Sequence, residues 1–196
     1  MRLLSILSLF VLGCNPGFAA QTADGQLEQE ARMLAKQFVG QLKPRLQQAM
    51  QEGGPGYAIE VCASFAPKLA DSLSAESGWL VKRVSLKSRN ASRAVPDAWE
   101  RATLELFDQQ QAAGREASQI HAGAIVGSRY RYMQAQGVES VCLVCHGETL
   151  TDEVRLTLQQ YYPDDWATGY ALGQVRGAIS LSRNLKPSEP AAVQTP

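Results

Sequence analysis

The sequence predicts an α+β protein, with N-terminal helices packed on an antiparallel sheet. Apolar residues recur every three or four positions through the first part of the chain, which is typical of amphipathic helices. Residues 79–86, 120–134 and 175–181 are instead rich in β-branched and aromatic residues or alternate in polarity, which predicts strands. The chain has 196 residues, 45% of them hydrophobic, and is long enough for one domain with a sizeable core.

Residues 1–20 are predicted to be a targeting segment, because a positive Arg2 precedes an apolar run too short to span a bilayer. The run Val11-Leu12-Gly13-Cys14 resembles a bacterial lipobox, in which cleavage before Cys14 would make that cysteine the acylated first residue. Gly17-Phe18-Ala19 also fits ordinary signal peptidase, which would discard Cys14. The lipobox is the favoured interpretation. Both interpretations export the chain, so we expect a periplasmic protein, free or anchored to the membrane as a lipoprotein.

The remaining elements follow in order along residues 27–183. The predicted helices cover residues 27–50, 57–74, 98–112 and 151–161, with Pro44 and Pro67 as positions for kinks. The Gly- and Pro-rich run at residues 52–56 is expected to separate the first two helices. The third helix is expected to face inward with Trp99, Ala102, Leu106 and Phe107, and the three tryptophans Trp79, Trp99 and Trp166 are interpreted as core.

Two further features complete the chain. A hairpin around Gly127-Ser128 would divide residues 120–134 into two strands, with Tyr130 and Tyr132 on one face. Residues 184–196 contain prolines and few apolar residues, and they are predicted to be a disordered tail.

Cys142-Leu143-Val144-Cys145-His146 has the C-x-x-C-H spacing by which c-type haem is attached. Two thiols at this spacing can each add to one porphyrin vinyl group, and the following histidine becomes the proximal iron ligand. A structural zinc site would need a second Cys/His pair at ligand spacing, and none follows. A thioredoxin-like pair would open a helix inside a βαβ unit, near the start of a domain. Export supports the haem interpretation, so we expect one covalent haem c per chain.

The position of the motif argues against two familiar cytochrome architectures. Small class I cytochromes have the motif near the N-terminus and a methionine ligand far downstream, whereas here no Met, His or Cys follows His146. Four-helix-bundle cytochromes end with the helix that contains the motif, whereas this chain continues for about fifty residues with strand patterns. A second ligand of these types must come from upstream. Cys62 lacks a disulfide partner in an oxidising compartment, although a buried small hydrophobe is its ordinary role.

Several stretches together resemble a known family, the single-haem c-type proteins of bacteria and cyanobacteria with a PAS-like fold. The matching stretches, spread over most of residues 27–183, are Ala58-Ile59-Glu60-Val61-Cys62, Gly78-Trp79, Arg83-Val84-Ser85-Leu86-Lys87, Arg89-Asn90, Pro96-Asp97-Ala98-Trp99-Glu100, Arg131-Tyr132-Met133, Cys142 through Gly147, Tyr162-Pro163-Asp164, Ala167-Thr168-Gly169-Tyr170 and Arg176-Gly177-Ala178-Ile179-Ser180. Met133-Gln134-Ala135 departs from the family, in which a Pro-containing turn is more usual.

The resemblance implies a PAS-like antiparallel sheet, one covalent haem held between sheet and helices, and an axial cysteine that falls on Cys62. His121 and Met133 are the less favoured candidates for the distal iron ligand, since surface exposure and sheet packing explain them more simply. Partners for the haem propionates are expected among five basic residues, for which solvated surface charge is the alternative role: Arg83, Lys87, Arg89, Arg129 and Arg176.

Three functions fit these expectations. Lys+Arg and Asp+Glu both number 19, so nothing in the net charge favours nucleic acid as a partner. One-electron transfer between redox partner proteins is the favoured function, and its potential is expected to be low because a thiolate ligand stabilises ferric iron. A redox or gas sensor acting through a separate partner is the alternative. An enzyme such as a peroxidase has little support, because His121 is the one histidine besides His146.

Overall fold

The computed structural model describes residues 23–185 as helices on both faces of one antiparallel sheet. The helices are α1 (Ala23–Ser77), α2 (Ala91–Ala94), α3 (Ala98–Ala112), α4 (Leu143–His146) and α5 (Asp152–Tyr161). The strands are β1 (Leu80–Val84), β2 (His121–Val126), β3 (Arg129–Gly137) and β4 (Val175–Asn184). Single 3₁₀ turns at Ala117–Gln119 and Ser140–Cys142 complete the regular structure. The predicted α+β class is confirmed.

Helix α1 consists of two arms separated by a break at the predicted position. Gly53 (φ −149°, ψ 15°) and Gly54 (φ 73°, ψ −168°) leave the helical conformation, and the positive φ of Gly54 favours glycine. Both arms contribute to one apolar cluster: Phe38 comes from the first arm, residues 23–52, and Leu73 from the second, residues 55–77. Pro44 and Pro67 lie within the arms without interrupting the helix.

The four strands are ordered β1-β4-β3-β2, and every neighbouring pair is antiparallel. Alternate residues of the central strands face opposite layers, as strand geometry requires. Tyr130, Tyr132 and Leu181 pack with α1 in one cluster, whereas Met133 and Ala178 pack with α3 in another. The hairpin at residues 127–128 and the shared face of the two tyrosines are therefore confirmed. Because both faces are covered, β4 is buried along most of its length.

The inward face of α3 differs from the prediction. Its buried residues are Glu100, Thr103, Leu104 and Phe107, whereas Ala102 and Leu106 are exposed. Glu100 is fully buried, because Lys82 Nζ lies 2.9 Å from its carboxylate and Ser180 Oγ donates to it at 2.6 Å. Asp97 is the N-cap of the helix and forms a capping box with Glu100.

Three smaller predictions were also wrong. Trp166 is 72% exposed rather than core, although Trp79 is buried and Trp99 packs against the core. The first helix already includes Ala23, four residues before the predicted start. Asn184 ends β4 and does not belong to a tail.

The predicted signal segment and lipid anchor, and the tail beyond residue 185, lie outside the described residues. Within residues 23–185, no helix combines the length and the apolar character needed to cross a bilayer.

Candidate functional site

A cavity of about 260 Å³ lies between α1, the sheet and the Cys-x-x-Cys-His motif. Cys62 from the second arm of α1 lines this cavity together with Cys142, Cys145 and His146. All three cysteines are free thiols. The structure therefore brings together in one cavity the four residues that were predicted from the sequence to hold a haem. Apolar side chains form much of the wall, among them Phe38, Val39, Leu42, Leu46, Ile59, Val84 and Ile179.

The motif is held in place by backbone hydrogen bonds to residues 169 and 170. After β3 the chain turns through the 3₁₀ turn Ser140–Cys142 into α4, which ends at His146. Tyr170 N donates to the carbonyl of His146 at 2.9 Å, and Gly169 N donates to the carbonyl of Gly147 at 3.0 Å. These bonds fix where the His146 side chain leaves the backbone.

The orientation of the His146 ring is set by the carbonyl of Ala167, which lies 2.7 Å from Nδ1. A carbonyl oxygen can only accept a hydrogen bond, so Nδ1 holds the hydrogen and Nε2 keeps its lone pair. Burial lowers the pKa of His146 well below its usual value, and the nearby positive charges of Arg176 and Arg89 lower it further. The imidazole is therefore neutral, with Nε2 available to a metal.

The Ala167 carbonyl is itself positioned by a buried ion pair. Arg89 Nη2 lies 3.1 Å from a carboxylate oxygen of Asp165, and the two side chains are only 11% and 9% exposed. The same guanidinium donates to the carbonyls of Cys145 and Ala167, the latter at 3.2 Å. Asp165 also accepts the backbone N–H of Ala167 at 2.8 Å. Arg89 and Asp165 thus join the motif to the segment that orients His146.

The cavity thiols are poorly solvated. Burial raises the pKa of Cys62, an effect that the positive charges of Arg83 and Arg89 oppose. Burial, together with the nearby Cys62 and Cys142 and against the positive charge of Arg89, raises the pKa of Cys145 to about 11. Both thiols are therefore neutral near pH 7 in the protein alone. A metal bound at Cys62 would have to displace the thiol proton, since the thiolate is the ligand.

The two less favoured ligand candidates lie elsewhere. His121 Nε2 is 3.6 Å from Glu28, and the ring contacts Arg32. Met133 is fully buried on the opposite layer, in the cluster that includes α3. Neither residue lines the cavity.

The five basic residues that were predicted to include propionate partners have different contacts in the structure. Arg89 is bound to Asp165, Arg129 donates to Asn184, and the ammonium of Lys87 donates to the carbonyl of Thr168. Arg176 lines the cavity but contacts His146, with its Nε 3.1 Å from Nδ1. Arg83 lines the cavity, and its guanidinium makes no ion pair with a carboxylate among the described residues.

Sequence reasoning missed the roles of Asp165, Ala167 and Ser85. Ser85 is buried at the end of β1, where its Oγ accepts a hydrogen bond from Arg176 Nη1 at 2.9 Å. Ser85 and Ala167 belong to the stretches that carry the family resemblance. That resemblance was the one signal in the sequence that could have located them.

The fold and the cavity define a class of α+β protein in which a Cys-x-x-Cys-His motif and a helical cysteine line one cavity beside an antiparallel sheet. The family model described as Tll0287-like (Tll0287) matches residues 20–183, and the chain belongs to this Tll0287-like family. This membership confirms the resemblance predicted from the sequence.

One solved structure similar to this chain is the crystal structure of the cyanobacterial heme-protein Tll0287. The match has a TM-score of 0.60 at 24% identity, and it covers 84% of this chain and 96% of that chain. At this level of identity the likeness shows the fold alone. No curated protein matches the chain.

Proposed function

We propose that this chain is an exported c-type cytochrome with a single haem, attached covalently at Cys142 and Cys145, which transfers one electron at a time at low potential. The observation that supports the proposal most strongly is that the motif shares one cavity with Cys62, a residue 80 positions before Cys142 in the sequence. His146 is the proposed proximal iron ligand and Cys62 the proposed distal one.

The residues of the cavity fit a porphyrin. Phe38, Ile59 and Ile179 offer apolar walls to a flat macrocycle, whereas the sulfur and nitrogen donors come from α1 and the motif. The Arg83 guanidinium, which lacks a carboxylate partner in the described part of the chain, suits a propionate, because Arg matches carboxylate geometry. Haem supplies a one-electron couple whose potential depends on its axial ligands and their surroundings.

The proposed axial pair accounts for the low potential. His146 presents Nε2 because its Nδ1 hydrogen is donated to Ala167, which is the arrangement in which metal-bound histidines are usually held. Cys62 would bind as a thiolate, and thiolate donation stabilises ferric iron. The positive charges of Arg83 and Arg89 favour the thiolate of Cys62. A potential well below that of a His/Met cytochrome follows.

A sensor remains the second candidate, and the position of Cys62 favours it. The arm of α1 that carries Cys62 starts directly after the break at Gly53 and Gly54. A change of ligation at Cys62 could therefore move this arm relative to the first one, and a separate partner could detect that movement.

Redox titration combined with exposure of the reduced protein to carbon monoxide tests these two functions. An electron carrier with two protein ligands titrates as one reversible one-electron couple, and its reduced spectrum is unchanged by carbon monoxide. A spectrum that changes to a carbon monoxide complex at low gas concentration would contradict the carrier function and favour the sensor.

We further propose that the protein is periplasmic, anchored as a lipoprotein through Cys14, and exchanges electrons with redox partner proteins. Support for export comes from the signal-like residues 1–20 and from the need to attach c-type haem outside the cytoplasm.

A further inference from the structure

Arg176 contacts the proposed proximal ligand without being neutralised. Its Nε lies 3.1 Å from His146 Nδ1, and its guanidinium carbon lies 5.6 Å from the centre of the Tyr170 ring. Arg176 Nη1 donates to Ser85 Oγ at 2.9 Å. Among residues 23–185, no carboxylate forms an ion pair with this guanidinium. The Arg176 Nε–H points at the same Nδ1 that lies 2.7 Å from the Ala167 carbonyl, and one ring nitrogen cannot satisfy both. The carbonyl contact is the shorter one and can only accept, so Nδ1 keeps its hydrogen and Arg176 acts on the imidazole through its charge.

The backbone holds Arg176 firmly at this position. A Cβ on Gly177 would lie 2.4 Å from the carbonyl oxygen of Val84, so only glycine allows β4 to come this close to the end of β1. The φ of Gly177, 153°, is also one that side chains rarely adopt. Ser85 Oγ lies 2.8 Å from the Arg176 carbonyl, and Tyr170 Oη donates to the same carbonyl at 3.3 Å. The guanidinium therefore has a defined place beside His146.

We propose that Arg176 is a positioning residue that raises the reduction potential of iron bound by His146, through a positive charge that lies beside the imidazole and forms no ion pair with a described carboxylate. This inference rests on the proposed haem site. Ferric iron carries one more positive charge than ferrous iron, so a nearby cation destabilises the oxidised state more than the reduced state. In a partly buried site, solvent screens this effect less than it would at the surface.

Arg89 and Arg93 do not have this effect to the same degree, and Arg83, which also lacks a carboxylate partner among the described residues, is assigned to a haem propionate under the proposed function. Arg89 is close to His146, but the Asp165 carboxylate offsets its charge. Arg93 lines the rim, and it is 47% exposed and paired with Asp71. The charge of Arg176 beside His146 would therefore oppose the effect of a Cys62 thiolate on the potential, and the potential would reflect both residues.

The test is the midpoint potential of the haem-loaded full-length protein and of three variants. Arg176→Gln removes the charge. We expect the equilibrium between ferric and ferrous iron to shift at least about tenfold toward the ferric form, which lowers the midpoint potential by about 59 mV for a one-electron couple. Arg176→Lys keeps the charge and should retain most of the potential. Arg93→Gln is the control for losing one positive charge at the cavity rim, and its potential should stay close to that of the parent protein.

Equal midpoint potentials in the parent protein and Arg176→Gln would overturn the inference. An equal drop in potential in Arg176→Gln and Arg176→Lys would also overturn it, because that result indicates a purely structural role. If Arg176→Gln does not accumulate, Ser85→Ala replaces it, because loss of that anchor frees the guanidinium from the imidazole. A lower potential in Ser85→Ala supports the inference and an unchanged one contradicts it. A parent protein that carries no haem would instead refute the proposed function, so the two failures are distinguishable.

Discussion

Replacing Arg89 should destabilise the protein far more than replacing another paired arginine. The Arg89→Met variant leaves Asp165, which is 9% exposed, as a buried carboxylate without its cation. It also removes the donor to the carbonyls of Cys145 and Ala167. Breaking a buried ion pair from one side typically costs about 3–5 kcal/mol. We expect the free energy of unfolding to fall by about that amount.

Arg93→Met is the matched control. Arg93 is paired with Asp71, but the two side chains are 47% and 61% exposed. Solvent screens such a pair, and its loss should cost less than about 1 kcal/mol. The assay is equilibrium urea unfolding of the haem-loaded proteins, followed by far-ultraviolet circular dichroism.

A double variant separates the ion pair from other causes. Arg89→Met combined with Asp165→Leu removes both charges, so part of the lost stability should return relative to Arg89→Met alone. The recovery should be incomplete, because Asp165 also accepts the backbone N–H of Ala167 at 2.8 Å. The reasoning is refuted if Arg89→Met costs no more than Arg93→Met.

Three other predictions can be tested independently. Cys62→Ala should remove the thiolate signature from the electron paramagnetic resonance spectrum of the ferric protein. It should also raise the midpoint potential by ~0.1 V or more, a fraction of the ~0.8 V range that axial ligands produce. An unchanged spectrum would mean that Cys62 only packs. Gly177→Ala should lower the free energy of unfolding in urea by about 1–3 kcal/mol, because the added Cβ would meet a backbone carbonyl. Gly40→Ala is the control and should be neutral or stabilising, because the space at its Cβ is open. Cys14→Ala should shift the protein from the membrane to the soluble fraction on envelope fractionation, or trap its precursor; a mature N-terminus at residue 20 or 21 would contradict the lipobox.

The parts of the fold that the sequence predicted well depend on local chemistry. The break in α1 follows from Gly53, Gly54 and Pro55, which no helix interior favours. Residues 120–134 form a hairpin because strand-like residues flank Gly127, whose φ is 61°. Neighbouring residues alone determine both features.

The errors depend on partners distant in sequence. Glu100 was not among the residues predicted to face inward on α3. A carboxylate is rarely buried alone, yet Lys82 and Ser180, from β1 and β4, satisfy this one. Arg89 and Asp165 are 76 positions apart, and no periodic pattern links them. The motif residues were recognisable from spacing, whereas the carbonyl that orients His146 is a backbone group that any residue could supply.

The central claim is that one haem is joined to the chain through Cys142 and Cys145, and mass spectrometry of the denatured protein tests it most directly. Protein exported from cells competent in cytochrome c maturation should have the mass of the processed chain plus one haem, and the addition should map to the peptide that contains both cysteines. Cys142→Ala and Cys145→Ala should each lose one thioether bond, and the double variant should lose covalent haem altogether. A processed chain of unmodified mass, recovered from cells that mature a control c-type cytochrome, would contradict the account.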